Sequence, residues 1–233
     1  MLMLAFETSA KAASVALTED GKLLAESYQN TGLTHSQTLM TMAEDMLASC
    51  GKRPQDVEAV AVAAGPGSFT GVRIGVAAAK GFAWGRQIPC YGVSTLEAMA
   101  RALGVWQGYV VPTMDARRSQ TYTAVFHAQE GALSRVEEDQ AISFAQLAEK
   151  IKNFAEPVFL VGDGAVLCYN LLVEEVPNLV LPPEHRQHQR ASGVALAALQ
   201  MQKDGIPGNG AELTPNYLRL SQAERERMAR ENR

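Results

Sequence analysis

An apolar, strand-like segment over residues 57–63 runs directly into Ala64-Gly65-Pro66-Gly67-Ser68-Phe69-Thr70-Gly71-Val72-Arg73-Ile74-Gly75. A stretch of small, helix-compatible residues then continues to about Trp84. Such a run leaves the backbone few options: a buried strand must turn sharply through glycines and enter a helix. That geometry gathers backbone N–H groups at the positive end of a helix dipole, where anions, phosphate above all, are received. The run lacks the Lys-Ser/Thr ending of a P-loop and the G-x-G-x-x-G of a dinucleotide fingerprint. Two readings stay open. Gly65, Gly67 and Gly71 cradle a phosphate, or they are the residues able to make the turn, with Ser68 and Thr70 as helix caps. Arg73 is the nearest cation.

Periodicity supplies the frame around the turn. Residues 2–6, 14–17 and 23–28 predict three strands, the last two joined through Glu19-Asp20-Gly21-Lys22. Thr34 and Gln37 have capping-box spacing, and Leu39, Met42, Ala43, Met46 and Leu47 recur at helical spacing until Gly51. Residues 59–63 read as a strand buried on both faces, and residues 88–93 as the next. Ser94-Thr95-Leu96-Glu97 is a second capping box, opening a helix to about Leu103.

Around Gly108 the pattern restarts. Leu4-Ala5-Phe6-Glu7 precedes Ser14-Val15-Ala16-Leu17 and a turn at Gly21, and Pro112-Thr113-Met114-Asp115 precedes Tyr122-Thr123-Ala124-Val125-Phe126 and a turn at Gly131. In both copies an acid closes a strand, a short polar loop follows, and a hairpin comes next. A helix opened by Ser143 and Gln146, a strand over residues 158–161, then Gly162-Asp163-Gly164 and a further helix complete the second copy. Two β-β-β-α-β-α lobes in tandem describe the α/β architecture called actin/hexokinase-like (ASKHA). The expected division is a first lobe over residues 1–107, a second over 108–214, and a C-terminal segment with a polar tail over 215–233. Residues 179–181 read as a strand stopped by Pro182-Pro183, and Ser192 as the cap of a helix to about Lys203. Glu224 with Arg227, and Glu226 with Arg230, are helix-compatible pairs in the tail.

Composition narrows the function classes. At 233 residues and 47% hydrophobic, the chain can bury a full core. A formal charge of −4 argues against this polypeptide being a main nucleic-acid surface, which needs clustered Lys and Arg. Cys50, Cys90 and Cys168 are odd in number and far apart, which suits reduced thiols in a cytoplasmic protein. The apolar start lacks a basic leader and meets Glu7 early, so no signal peptide is expected, and no run approaches the length of a membrane span.

Glu7 and Asp115 end the equivalent strands, where acids of this architecture hold Mg²⁺ or act as a base. The alternative is that each ties down its own hairpin loop by accepting backbone N–H bonds. His35, His127, His185 and His188 show no metal-ligand spacing, and Ser68 has no recognisable histidine partner. Met40, Met42 and Met46 on one helix, and Gly75, Ala78 and Phe82 on the next, are either ordinary core or, the preferred reading, adaptable and small-residue faces suited to close approach between subunits.

The string from Ala64 to Gly75 resembles, nearly residue for residue, the A-G-P-G-S-F-T-G-[VL]-R-[IV]-G signature of the bacterial TsaB (YeaZ) family. Glu7-Thr8-Ser9, Asp115-Ala116-Arg117-Arg118 followed by Tyr122, and Pro215-Asn216-Tyr217-Leu218-Arg219 are similar to further motifs of that family. Residues 133–213 carry no such motif. The resemblance implies the actin/hexokinase-like fold and a part in forming N6-threonylcarbamoyladenosine at position 37 of tRNAs that read codons beginning with A. It implies a non-catalytic scaffold that activates a TsaD-type transferase, with a TsaE-type ATPase completing the assembly and tRNA met only indirectly. Family members use the first-lobe helices to form a homodimer and, in exchange, to bind the TsaD-type subunit. The catalytic relative carries a metal-binding H-x-x-x-H after the strand equivalent to residues 88–93, where this chain has Thr95 and Met99. No metal and no cofactor of its own is therefore expected. An ATP or ADP shared at the subunit interface would meet Gly65, Gly67, Ser68 and Arg73. The rival reading is an independent small-molecule kinase or ATPase using Glu7, Asp115 and the glycine turn. A metallopeptidase is disfavoured by the missing histidine pair.

Overall fold

Alternate residues of the first strand enter two different cores, and that alternation sets the layering of the molecule. In β1 (Leu2–Glu7), Leu2, Leu4 and Phe6 face one core while Met3 and Ala5 face another, as a period of two requires. β4 (Ala59–Gly65) divides likewise, Val60, Val62 and Ala64 against Ala59, Ala61 and Ala63. The computed structural model describes residues 1–219, so the charge pairs of the tail lie outside the described residues.

β2 (Ala13–Glu19), β3 (Lys22–Gln29) and β5 (Cys90–Ser94) complete a five-stranded sheet of order β3-β2-β1-β4-β5. β6 (Gly108–Asp115), β7 (Gln120–Gln129), β8 (Ala132–Ser143), β9 (Val158–Val161) and β10 (Leu179–Val180) form the second, of order β10-β9-β6-β7-β8. Taken from the third strand of each lobe, the two orders are the same. β1–β2 and β6–β7 pair antiparallel, and β1–β4 and β6–β9 pair parallel. The duplication suggested by the restart at Gly108 is therefore a repeat of topology, and the two-lobed α/β architecture is the one expected.

α1 (His35–Ser49) and α2 (Phe69–Arg86) cover the outer face of the first sheet, and α4 (Phe144–Ile151) and α5 (Ala165–Leu172) that of the second. α3 (Thr95–Leu103) and α6 (Ala191–Lys203) lie between the sheets, and each crosses to the other lobe. Leu96, Met99 and Ala100 of α3 pack with Val110, Met114, Phe126 and Val161 of the second sheet. Ala191, Val194, Ala195 and Ala198 of α6 pack on Met3, Ala5, Ala61 and Ala63 of the first. A division at residue 107 thus parts the strands, but it assigns α6 to the lobe it does not cover. The two helices cross so closely that a methyl on Gly193 would meet the Ala98 carbonyl oxygen.

Helix starts correct three local readings. Ser143 and Gln146 form the full capping box, at 3.2 and 2.9 Å. Thr34 contributes only its backbone carbonyl, to Gln37 at 2.9 Å, with no side-chain cap. Ser94 accepts from the Glu97 N–H at 3.2 Å, but the Glu97 carboxylate turns to Arg101 at 2.8 Å and Arg135 at 3.0 Å. Two guanidinium partners outcompete a neutral backbone donor. α6 begins one residue before Ser192 and is capped by the first lobe: Ser14 Oγ accepts from Ala191 N at 3.1 Å, and Glu26 accepts from Ser192 N at 2.9 Å.

Candidate functional site

The acids that close β1 and β6 do the same thing in both lobes. Glu7 Oε1 accepts from the Ser9 backbone N–H at 2.6 Å, and Asp115 Oδ1 from the Arg117 N–H at 2.7 Å. Each carboxylate therefore fixes its own hairpin loop two residues on, as the loop-capping reading requires. Their environments differ. Asp115 is exposed, whereas Glu7 is 0% exposed and its Oε2 has no hydrogen-bond partner. Burial pushes the Glu7 carboxyl up to about 7, against the lowering effect of Ser9, and the negative charge of Asp163 acts in the same upward direction.

Asp163 sits in the turn between β9 and α5, and its Oδ1 accepts from Gln189 Nε2 at 3.2 Å. Gln189 is itself 1% exposed with its Oε1 unpartnered. Neither residue was among the candidate site residues. The sequence signal was the Gly-Asp-Gly after a strand, the second-lobe counterpart of the glycine turn. Gly164 packs on Thr113, Met114 and Asp115 much as Gly67 and Gly71 pack on the first hairpin.

In the glycine turn, small size is demanded by the chain's own backbone. A methyl on Gly67 would strike Ser9, one on Gly71 the Thr8 carbonyl oxygen, and one on Gly75 the Thr8 hydroxyl. Thr8 Oγ1 donates to the Gly71 carbonyl at 2.8 Å, and the Ser68 N–H donates to the Ser9 carbonyl at 2.6 Å. Ser68 Oγ caps α2 by accepting from the Gly71 N–H at 3.3 Å. On the other side, Asn216 N donates to Ala64 O at 2.6 Å, and the Asn216 carbonyl lies against Gly65. Arg73 Nε donates to the Tyr217 hydroxyl at 2.7 Å. Gly65, Gly67, Ser68 and Arg73 are thus brought together, as their spacing implies, and the C-terminal segment shares the place with them.

Thr95 opens α3 at 0% exposure and Met99 lies one turn on at 3%. A hydroxyl and a thioether buried between lobes do not suit iron or zinc. Among the described residues, no three His, Cys, Asp or Glu side chains converge as a metal site. The protein prepared without chelator is expected to carry well under one equivalent of iron or zinc by elemental analysis, and about one per chain would overturn this. The thiols of Cys90 and Cys168 are pushed up to about 11 by burial, so they are poor nucleophiles. His35 Nε2 lies 2.8 Å from the Ala10 carbonyl, and His127 pairs with Glu156 at 2.9 Å, so both are fixed within the fold.

The interface residues are corrected in part. Met42 and Met46 are each 5% exposed and belong to the first-lobe core, and Gly75 faces Thr8 of its own chain. Ala78 and Phe82 pack partly against that core, leaving Met40 as the exposed one of the six. The surface of α2 is formed instead by Arg73, Ala77, Gly81 and Trp84, and Trp84 is 81% exposed.

Two interleaved lobes of identical strand order, each with an acid-closed hairpin, define an actin/hexokinase-like protein. The fold is shared with a component of (R)-2-hydroxyglutaryl-CoA dehydratase from Acidaminococcus fermentans, at TM-score 0.52 and 12% identity over 87% of this chain and 99% of that one. A family model described as "TsaD: tRNA N6-adenosine threonylcarbamoyltransferase" matches residues 28–226. The tRNA threonylcarbamoyladenosine biosynthesis protein TsaB of Bacillus subtilis is 34% identical over 96% of each chain. YeaZ from Pseudomonas aeruginosa superposes at TM-score 0.75 with 27% identity, covering 93% of this chain and 99% of that one. The chain belongs to the TsaB (YeaZ) family.

Proposed function

We propose that this chain works in the biosynthesis of tRNA threonylcarbamoyladenosine as a non-catalytic scaffold that activates a TsaD-type transferase in the cytoplasm. The observation that carries the reading is the pair Thr95 and Met99, buried between the lobes where the transferase would place its metal ligands. The partner then performs the transfer, and this chain favours the partner's competent conformation by binding it. A TsaE-type ATPase completes the assembly, and tRNA is met through the partners, in keeping with the charge of −4. A nucleotide would lie at the subunit interface near Arg73. Among the described residues no helix is long and apolar enough to cross a membrane. The test is co-purification with TsaD- and TsaE-type subunits, followed by tRNA modification with and without this chain. Modification at full rate without it would remove the proposal.

The acids Glu7, Asp115 and Asp163 favour a second reading, a small-molecule kinase or ATPase. ATP turnover by the purified chain, free of partners, distinguishes the two.

In isolation the chain forms a homodimer through the outer face of α2, a surface the transferase subunit would take over. Ala77, Gly81 and Trp84 lie on one side of that helix with an aromatic side chain left to solvent. Ala77→Arg is expected to give a folded monomer by sedimentation, since a buried unpaired charge opposes association. A dimer of unchanged strength would place the interface elsewhere. Ala78, the more obvious choice from sequence, is a poorer probe because it packs partly on the core.

A further inference from the structure

After α6 the chain runs back across the first lobe to the glycine turn. Lys80 Nζ donates to the Leu213 carbonyl at 2.9 Å, and the Leu213 side chain packs on the outer core and over Gly92. Asn216 N then donates to Ala64 O at 2.6 Å, at the C-terminal end of β4. Tyr217 stacks on Phe69 with ring centroids 4.0 Å apart and planes 4° from parallel. The Arg73 guanidinium carbon lies 5.2 Å from the Phe69 ring and 5.5 Å from the Tyr217 ring. Two residues later, Arg219 Nη1 donates to Ala116 O at 2.6 Å, in the β6–β7 hairpin of the other lobe.

That hairpin is strained. Arg117, Arg118 and Ser119 hold φ of 60, 54 and 57°, three successive non-glycine residues in the left-handed region. Such a run persists only where its surroundings over-determine it. The Asp115 bond to the Arg117 N–H holds one end of the loop from within, and Arg219 holds the preceding carbonyl from without.

We propose that residues 208–219 are a latch between the lobes: anchored on the glycine turn through Asn216 and Tyr217, the segment holds the second-lobe hairpin through Arg219 and fixes the angle between the two lobes. The first lobe supplies most of the anchorage, and Arg219 transmits it. Elsewhere the lobes are joined through α3 and α6, the two helices between the sheets, and through Arg135 on Glu97. The inference does not depend on the proposed function.

Hydrogen exchange of the full chain tests it, because coupling between two sites is reciprocal. Arg219→Ala removes the described bond to the second-lobe end, Arg219 Nη1 to Ala116 O, yet it is expected to speed exchange of the amides at residues 64–71 by about fivefold or more. Tyr217→Ala touches only the first-lobe end, and is expected to speed exchange at residues 116–120 by a similar factor. Tyr217→Phe keeps the ring stack and should lie between Tyr217→Ala and the unaltered chain. Should Tyr217→Ala fail to fold, Arg219→Ala alone decides. A rise confined to each substitution's own end overturns the latch, and so does one shared equally by the remote β2–β3 turn at Asp20-Gly21.

Discussion

Gly71→Ala is expected to lower the melting temperature by about 5–15 °C, a large effect for a single methyl. Gly71 lies in the first turn of α2, pressed on the hairpin loop that follows β1. An added Cβ would lie 2.0 Å from the Thr8 carbonyl oxygen, a backbone atom that cannot swing aside as a side chain does. The same loop is held from both directions, by Thr8 Oγ1 on the Gly71 carbonyl at 2.8 Å and by Ser68 N on the Ser9 carbonyl at 2.6 Å. Relief of the clash must therefore move the helix or break those bonds. Overpacking of this kind costs about 2–4 kcal/mol, well beyond the ~1 kcal/mol that alanine gains over glycine in a helix. Gly85→Ala, in the same helix, serves as the control, because nothing lies within 4 Å of its added methyl. It should raise stability by up to about 1 kcal/mol. Calorimetry of the two variants compares one chemical change with opposite expected signs. Equal effects would mean that the signature glycines are not there for packing.

That contrast also shows where sequence reasoning reached and where it stopped. Local chemistry was legible. The strand over residues 158–161, the end of α3 at Leu103 and the Ser143–Gln146 box were each set by residues within one element. The repeat was legible because both hairpins close with an acid that ties a backbone N–H two residues on. What failed was everything supplied from a distance. α6 is capped by Ser14 and Glu26, more than 160 residues upstream. Glu97 was spent on Arg135 of the other lobe, which no local pattern announces. Met42 and Met46 fit either core or interface at their helical spacing, and preferring the interface failed because the depth of the core beneath α1 depends on which helices share it. Gln189 matters through Asp163 of another element, so its spacing in the chain carried no signal, and the motif ending in Arg219 did not announce its partner Ala116.

Glu7→Gln is expected to make the protein more stable than its parent at pH 8 by about 2–3 kcal/mol, and to lose that advantage as the pH falls toward 5. The Glu7 carboxyl is wholly buried with one oxygen unpartnered, and burial pushes it up to about 7 from an ordinary 4.5. Because the folded form holds the proton more tightly, folding takes up a proton between pH 4.5 and 7. The group therefore favours folding fully below about pH 4.5, and that contribution disappears as the pH rises through 7. The difference between the two values corresponds to about 3 kcal/mol for a group with no solvent screening. A glutamine keeps an oxygen for the Ser9 N–H and carries no charge at any pH, so its stability should vary less over that range. Denaturant unfolding of both proteins from pH 5 to 8 measures the divergence, and parallel curves would show that Glu7 is ionised without penalty. The same variant weighs scaffold against chemistry. A loop cap that survives as glutamine should leave tRNA modification by the reconstituted complex near normal, and Asp115→Asn, which keeps an acceptor for the Arg117 N–H, should behave alike. An acid that held a metal or moved a proton would instead cost about 100-fold or more in rate. A fall of that size with the complex still assembled would place chemistry in this chain and return the kinase-like reading to first place.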